Sequence, residues 1–196
     1  ADLLIKKKLY LDQILTRTLF HHLIEGIEYL HSKKVAHMDL KLENMLLGED
    51  YRLKIADFDL AYLEGEKTIR GKGTCNYRAP ELRNKNCAKP KATDIYSAGI
   101  ILFCFKTGGY PAIEDTLIEG HDLYQMMLSQ DKKFWEVHEK IQKKKVVFED
   151  SFKELFMGMV KHNPDDRMTI SQIKHNAWYR GPIYSQEELT NKFKAL

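Results

Sequence analysis

Between Ala92 and Lys106 the chain carries Ile95, Tyr96, Ala98, Ile100, Ile101, Leu102 and Phe103 with hardly a polar face. A helix that is apolar on every side has no stable place at a surface, so other elements must wrap around it. Gly108-Gly109-Tyr110-Pro111 supplies its stop. The longest unbroken apolar run, Gly99 to Phe105, is far shorter than the ~18 residues of a membrane span. With 196 residues, 43% of them hydrophobic, the chain can build one core but not two full domains.

The wrapping elements are readable too. Leu15, Leu19, Leu23, Ile27 and Leu30 recur at helical spacing, which predicts an amphipathic helix over Asp12–His31 with Asp12 near its cap. Further helices are expected at Asp122–Ser129, Asp150–Lys161 and Thr169–His175, and Ser185-Gln186-Glu187-Glu188 has the form of a capping box. Met45-Leu46-Leu47 and Leu53-Lys54-Ile55-Ala56 are strand-like runs around the turn residues Gly48-Glu49-Asp50. Glu64 to Arg78, polar and containing Gly65, Gly71 and Gly73, reads as a long loop, functional or disordered. The expected fold class is mainly α with a small antiparallel β region.

Charge and cysteine content remove several function classes. The balance of 31 basic against 28 acidic residues implies no large nucleic-acid surface. The lysine runs Lys6-Lys7-Lys8 and Lys143-Lys144-Lys145 lack an aromatic stacking stripe and read as solvated helix faces. Cys75, Cys87 and Cys104 show no C-x-x-C spacing, which argues against a disulfide framework and a zinc site. No signal-peptide pattern opens the chain. The expectation is an intracellular, cytoplasmic protein with no membrane partner; nothing in the sequence sets its oligomeric state.

The stretch His37 to Asp59 concentrates acids, an amide and lysines around those two strand-like runs. If the hairpin turn is centred between Asp50 and Tyr51, Asn44 faces Asp57 at the open end, with Asp39 and Lys41 in the loop just before. Hard oxygens such as Asn44 and Asp57 suit Mg²⁺, which keeps waters and takes few protein ligands beside phosphate oxygens. Phosphoryl transfer needs charge neutralisation and an acceptor for the attacking hydroxyl's proton, roles open to Lys41 and Asp39. A polar turn explains any one of these residues equally well; only the set at this spacing points to a site.

At these residues the chain resembles a eukaryotic protein kinase. His37-Met38-Asp39-Leu40-Lys41-Leu42-Glu43-Asn44, Asp57-Phe58-Asp59 and Ala79-Pro80-Glu81 follow the order and spacing of the H-R-D-L-x-x-x-N, D-F-G and A-P-E motifs. Asp94, Ser97 and Gly99 fall where that family has a buried D-x-x-S-x-G helix, and Arg167 falls where it has the partner of the A-P-E glutamate, here Glu81. His175-Asn176-Ala177-Trp178 loosely resembles its H-P-W element. Lys41 two residues after Asp39, and Gly73-Thr74-Cys75-Asn76-Tyr77-Arg78-Ala79-Pro80-Glu81, resemble the serine/threonine type, nearest to the calmodulin-dependent or AMP-activated-like group.

The resemblance implies a partial kinase domain over residues 1–178, the large C-terminal lobe, with a tail over 179–196. It implies ATP and Mg²⁺ as cofactors and a protein substrate. Asp39 would take the substrate hydroxyl's proton and Lys41 would contact the γ-phosphate. Asn44 and Asp57 would bind Mg²⁺, and the Glu43 carbonyl would reach the ribose. Leu46 would floor the adenine, with an ordinary core leucine as the alternative. His37 and Phe58 would pack in the internal spine, although the residues themselves favour reading His37 as a satisfied core histidine. Asp94 would accept N–H groups of the His37–Asp39 loop, Thr74 would touch Asp39 and Lys41, and Glu81–Arg167 would be a structural ion pair.

The departures are as specific. No G-x-G-x-x-G loop or V-A-I-K lysine precedes the catalytic loop, and Asp2–Lys8 resembles the large lobe's first helix. That implies a fragment or a truncated gene, inactive or nearly so alone. Met38 replaces the family's arginine, and Arg70 occupies the usual phosphosite, four residues before Thr74. Loop phosphorylation is therefore not the expected on-switch. Asp59 replaces the motif glycine, implying restricted switching with Mg²⁺ binding kept. The second reading is a pseudokinase or docking module.

Overall fold

The computed structural model describes residues 9–83, 89–111, 122–130, 132–142 and 146–195. Both lysine runs, the expected helix Asp2–Lys8 and Cys87 lie outside the described residues. The apolar segment forms helix α2, Pro90–Thr107, buried throughout from Thr93 to Thr107. It starts two residues before the expected point because Pro90 fits the first helical turn, where its missing N–H costs nothing. It ends at Gly108 in the left-handed conformation, φ 74°.

Helix α1, Gln13–Ser32, lies against α2. Asp12 caps it, its carboxylate accepting from Leu15 N at 2.9 Å, and Leu15, Leu19, Leu23 and Ile27 face the core. Beyond α2 come α3 (Asp122–Leu128), α4 (Lys132–Ile141), α5 (Asp150–Met159), α6 (Ile170–His175) and α7 (Gln186–Lys194). Thr169 and Ser185 close capping boxes with Gln172 and Glu188 at the starts of α6 and α7. No helix among the described residues is long and apolar enough to cross a membrane.

Helix α4 was not among the sequence expectations. Its buried face is Phe134, Trp135 and His138, which pack into an aromatic cluster with Phe103, Phe148, Phe152 and Phe156. His138 is buried, and desolvation lowers its pKa below the ordinary histidine value. At pH 7 folded and unfolded forms are both largely neutral there. As pH falls through the unfolded value near 6.5, the unfolded chain takes up the proton first, so stability is lost on acidification. Melting from pH 7 to pH 5.5 is expected to show a falling Tm, with a shallower slope in His138→Gln. One histidine can contribute at most about 1.4 kcal/mol per pH unit.

Two short antiparallel pairs complete the fold, with Leu53 of the second pair donating its N–H to His22 in the middle of α1 at 3.3 Å. Strand β1 (Val35–Ala36) pairs with β4 (Tyr62–Leu63), and β2 (Met45–Leu47) pairs with β3 (Leu53–Ile55). The β2–β3 register sets Met45 against Ile55 and Leu47 against Leu53. Asn44 is therefore opposite Ala56, whose N–H donates to Asn44 O at 2.9 Å, and not opposite Asp57 as the sequence argument had it. The turn centres on Asp50. Gly48 O accepts from Tyr51 N, Gly48 N donates to Arg52 O, and Tyr51 adopts φ 58°. That is a type I turn followed by a left-handed residue, the usual three-residue hairpin loop.

Candidate active site

The loop from His37 to Asn44 connects β1 to β2, and buried groups hold its shape. Asp94 on α2, 1% exposed, accepts from His37 N at 2.8 Å, Met38 N at 2.9 Å and His31 Nε2–H at 2.9 Å. Three donors satisfy a carboxylate that would otherwise be costly to bury. The contacts to the loop backbone are those the resemblance implied; the one from His31 had no signal in the sequence. His37 is fully buried, its Nε2–H donating to Ala56 O at 2.9 Å and its Nδ1 accepting from Asp39 N at 3.3 Å. Its ring lies 5.0 Å from that of Phe58. One imidazole thus ties the loop to the end of β3, beside Asp57.

Asp39 gathers the next set of contacts. Its Oδ1 accepts from Thr74 N at 2.8 Å and Thr74 Oγ1–H at 2.7 Å, and its Oδ2 accepts from Lys41 Nζ at 2.7 Å. Lys41 also donates to Thr74 Oγ1 at 3.3 Å. Asn44, buried, gives its amide N–H to Asp39 O at 3.0 Å. The hydrogen bond to Asp39 raises the Lys41 pKa, partial burial opposes it, and the charges of Asp39, Asp57 and Glu43 add to it. Lys41 is a cation at neutral pH. A Cβ on Gly73, which has φ 70°, would sit 2.8 Å from Met38 O, so glycine lets the Thr74 strand approach Asp39.

Asp57 follows Ala56 directly, is exposed and has φ 65°; its Oδ1 accepts from Asp59 N at 3.4 Å. Asp59 is not among the residues with positive φ, so this backbone state places no conformational cost on aspartate there. Glu43 lies in a single 3₁₀ turn, Leu42–Asn44. Leu46 is 55% exposed, which removes the core-leucine alternative. Phe58 is 44% exposed, so it is only partly packed, whereas His37 is a satisfied core histidine.

The segment after Asp59 is held in a manner the sequence did not disclose. Met38, 3% exposed, packs with Ala36, Ile69 and Leu82, covered by Leu60 and Tyr62. Arg70 donates to Ala61 O at 2.9 Å and pairs with Glu66 at 2.6 Å. Tyr77 joins the segment to the loop, its OH accepting from Leu42 N at 3.2 Å and its carbonyl accepting from Ser97 at 2.8 Å. The Pro80–Arg83 turn is anchored by Glu81, whose carboxylate takes both Arg167 nitrogens at 2.6 Å.

Comparison with known proteins agrees with this geometry. The family model described as protein kinase domain matches residues 1–179. The chain is 36% identical over 169 residues to CBL-interacting protein kinase 26 of Oryza sativa subsp. japonica, covering 84% of this chain and 32% of that protein. It is 33% identical over 184 residues to CBL-interacting protein kinase 11 of the same organism, covering 91% and 34%. Against CBL-interacting serine/threonine-protein kinase 10 of Arabidopsis thaliana, identity is 30% over 180 residues, covering 88% and 34%. The chain spans about a third of the length of these relatives. The kinase match over most of the chain and the loop motifs in kinase order lead to one conclusion: the chain belongs to the protein kinase family.

Proposed function

We propose that these residues carry the phosphoryl-transfer site of an ATP-dependent kinase acting on serine and threonine hydroxyls of protein substrates. The observation that carries this reading is the Asp39 carboxylate, with one oxygen held by Thr74 and the other by Lys41. A carboxylate so oriented can accept a substrate hydroxyl's proton. Lys41, kept cationic, can face the γ-phosphate, the Glu43 carbonyl the ribose, and exposed Leu46 the adenine. Among the described residues no group of three His, Cys, Asp or Glu could hold a metal by itself. The pair Asn44 and Asp57 instead fits Mg²⁺, which needs one or two protein oxygens and takes the rest from waters and phosphates. Held there, Mg²⁺ would supply charge neutralisation to the phosphates of the nucleotide.

The full-length protein containing these residues, given γ-labelled ATP, Mg²⁺ and a protein substrate mixture, is expected to label serine and threonine but not tyrosine. Asp57→Ala is expected to lower the rate at least about 100-fold, since charge stabilisation is the largest part of such catalysis. The docking-module reading draws its support from Asp59 in the glycine's place. A silent wild type, equal to Asp57→Ala, would establish it and end the kinase proposal.

Met38 and Arg70 shape a second expectation. Apolar packing and the Glu66 pair take over the task an arginine and a phosphate would share. Thr68→Glu is expected to change the rate by less than about twofold. A tenfold rise, roughly 1.4 kcal/mol of barrier, would overturn this.

A further inference from the structure

Helix α7 lies beyond residue 179, where the family match ends. It is nonetheless docked on the turn of the hairpin whose open end carries Asn44 and Asp57. The Phe193 ring stacks on Tyr51, centroids 5.3 Å apart and planes 7° from parallel. At the helix's first turn, Gln186 Nε2 donates to Asp50 O at 2.5 Å. Leu189, 1% exposed, pins the middle. The other flank is tied to α1: Lys192 and Tyr184 OH reach the Asp12 carboxylate at 2.5 and 2.9 Å, and Tyr184 N donates to Thr18 Oγ1 at 2.9 Å. The helix thus bridges a buried, capped helix and a three-residue turn.

That turn depends on Tyr51 holding φ 58°, a backbone state that a bulky residue keeps only when its surroundings impose it. In a hairpin, turn type fixes register, and a slip of one residue turns every side chain to the other face. Register here places Asn44 opposite Ala56 and so determines where Asp57 follows.

We infer that Phe193 and Gln186 are positioning residues for the metal–nucleotide site: they hold the turn and, through the hairpin register, hold Asn44 and Asp57. This rests on the proposed reading of Asn44 and Asp57 as magnesium ligands. A helix that only covers the core would stabilise the fold without altering metal affinity, so the two roles give different results.

Calorimetric titration of ADP at a series of Mg²⁺ concentrations, on the full-length protein, separates them. Phe193→Ala is expected to raise the Mg²⁺ concentration for half-maximal ADP affinity about three- to tenfold, the scale of one aromatic stack. Gln186→Ala is expected to raise it about twofold, the scale of one hydrogen bond, and Phe193→Tyr to leave it unchanged. If Phe193→Ala does not fold, Phe193→Leu keeps the burial without the stack and reads the same quantity. Lowered Tm with an unmoved Mg²⁺ titration in these variants, while Asn44→Ala does move it, overturns the inference alone. An unmoved titration in Asn44→Ala overturns the metal reading and the inference with it.

Discussion

Asp39→Asn in the full-length protein is expected to lower kcat by about 10²–10⁴-fold, the usual contribution of a positioned general base. The substitution keeps shape and removes charge. An amide oxygen can still accept from Thr74 N and Thr74 Oγ1–H, now 2.8 and 2.7 Å from Oδ1. The other atom becomes an NH₂ facing Lys41 Nζ, now 2.7 Å from Oδ2, so donor meets donor. The variant loses the proton acceptor and releases Lys41 from the hydrogen bond that raises its pKa. Lys41 keeps its charge and its proposed reach to the γ-phosphate, and the other proposed nucleotide contacts, from Asn44, Asp57, the Glu43 carbonyl and Leu46, do not involve the Asp39 carboxylate. KM for ATP should therefore stay within about threefold while kcat falls, the pattern of an interaction made in the transition state. Steady-state kinetics with a melting curve as control measure this. A kcat within about threefold of wild type, at equal Tm, would remove Asp39 from the chemistry.

What the sequence disclosed, and what it withheld, follows from the range of the interactions. Helix α1 was legible to within a residue at each end because its cap and its apolar stripe are local signals. The buried helix α2 was legible because its composition admits no other place. Helix α4 was missed: its apolar face rests on few residues in a charged stretch, and the aromatic partners Phe148, Phe152 and Phe156 come later in the chain. Strands β1 and β4, two residues each, carry no readable period. At the site, the kinds of residue and their order pointed to Asp39 and Lys41, and the resemblance to protein kinases supplied the contacts of Thr74 with both and of Asp94 with the loop backbone. The hairpin register was off by one because it turns on Tyr51, and nothing about a tyrosine announces a left-handed backbone. Met38 was legible as an arginine lost. Its gain, a buried contact with Ile69 and Leu82, is a tertiary fact.

Arg167→Ala is expected to destabilise the fold by about 3–5 kcal/mol, the cost of leaving a buried charge without its partner. The side chains of Arg167 and Glu81 are 1% and 6% exposed, and the pair is bidentate at 2.6 Å for both bonds. Arg167 also donates to Ala92 O at 2.8 Å and Lys161 O at 2.9 Å, and its guanidinium lies 5.0 Å from the centre of the Tyr96 ring. Thr93 Oγ1 donates to Glu81 at 2.9 Å. One guanidinium therefore joins the Pro80–Arg83 turn, the first turn of α2 and the chain after α5. Its removal leaves the Glu81 carboxylate without its charged partner and takes a donor from the Lys161 and His162 carbonyls. At roughly 2–4 °C per kcal/mol for a chain of this size, the Tm should fall by about 6–20 °C. The double variant Arg167→Met, Glu81→Leu discriminates between two accounts. If the penalty is mainly an orphaned charge, removing the second charge restores a large part of the loss, because a buried ion pair and an apolar replacement are often close in free energy. If the pair itself is the source of stability, the double variant is no better than the single one. Urea unfolding of wild type, both single variants and the double variant closes the cycle, and a single-variant loss below about 1 kcal/mol would show that water reaches Glu81 when the arginine leaves.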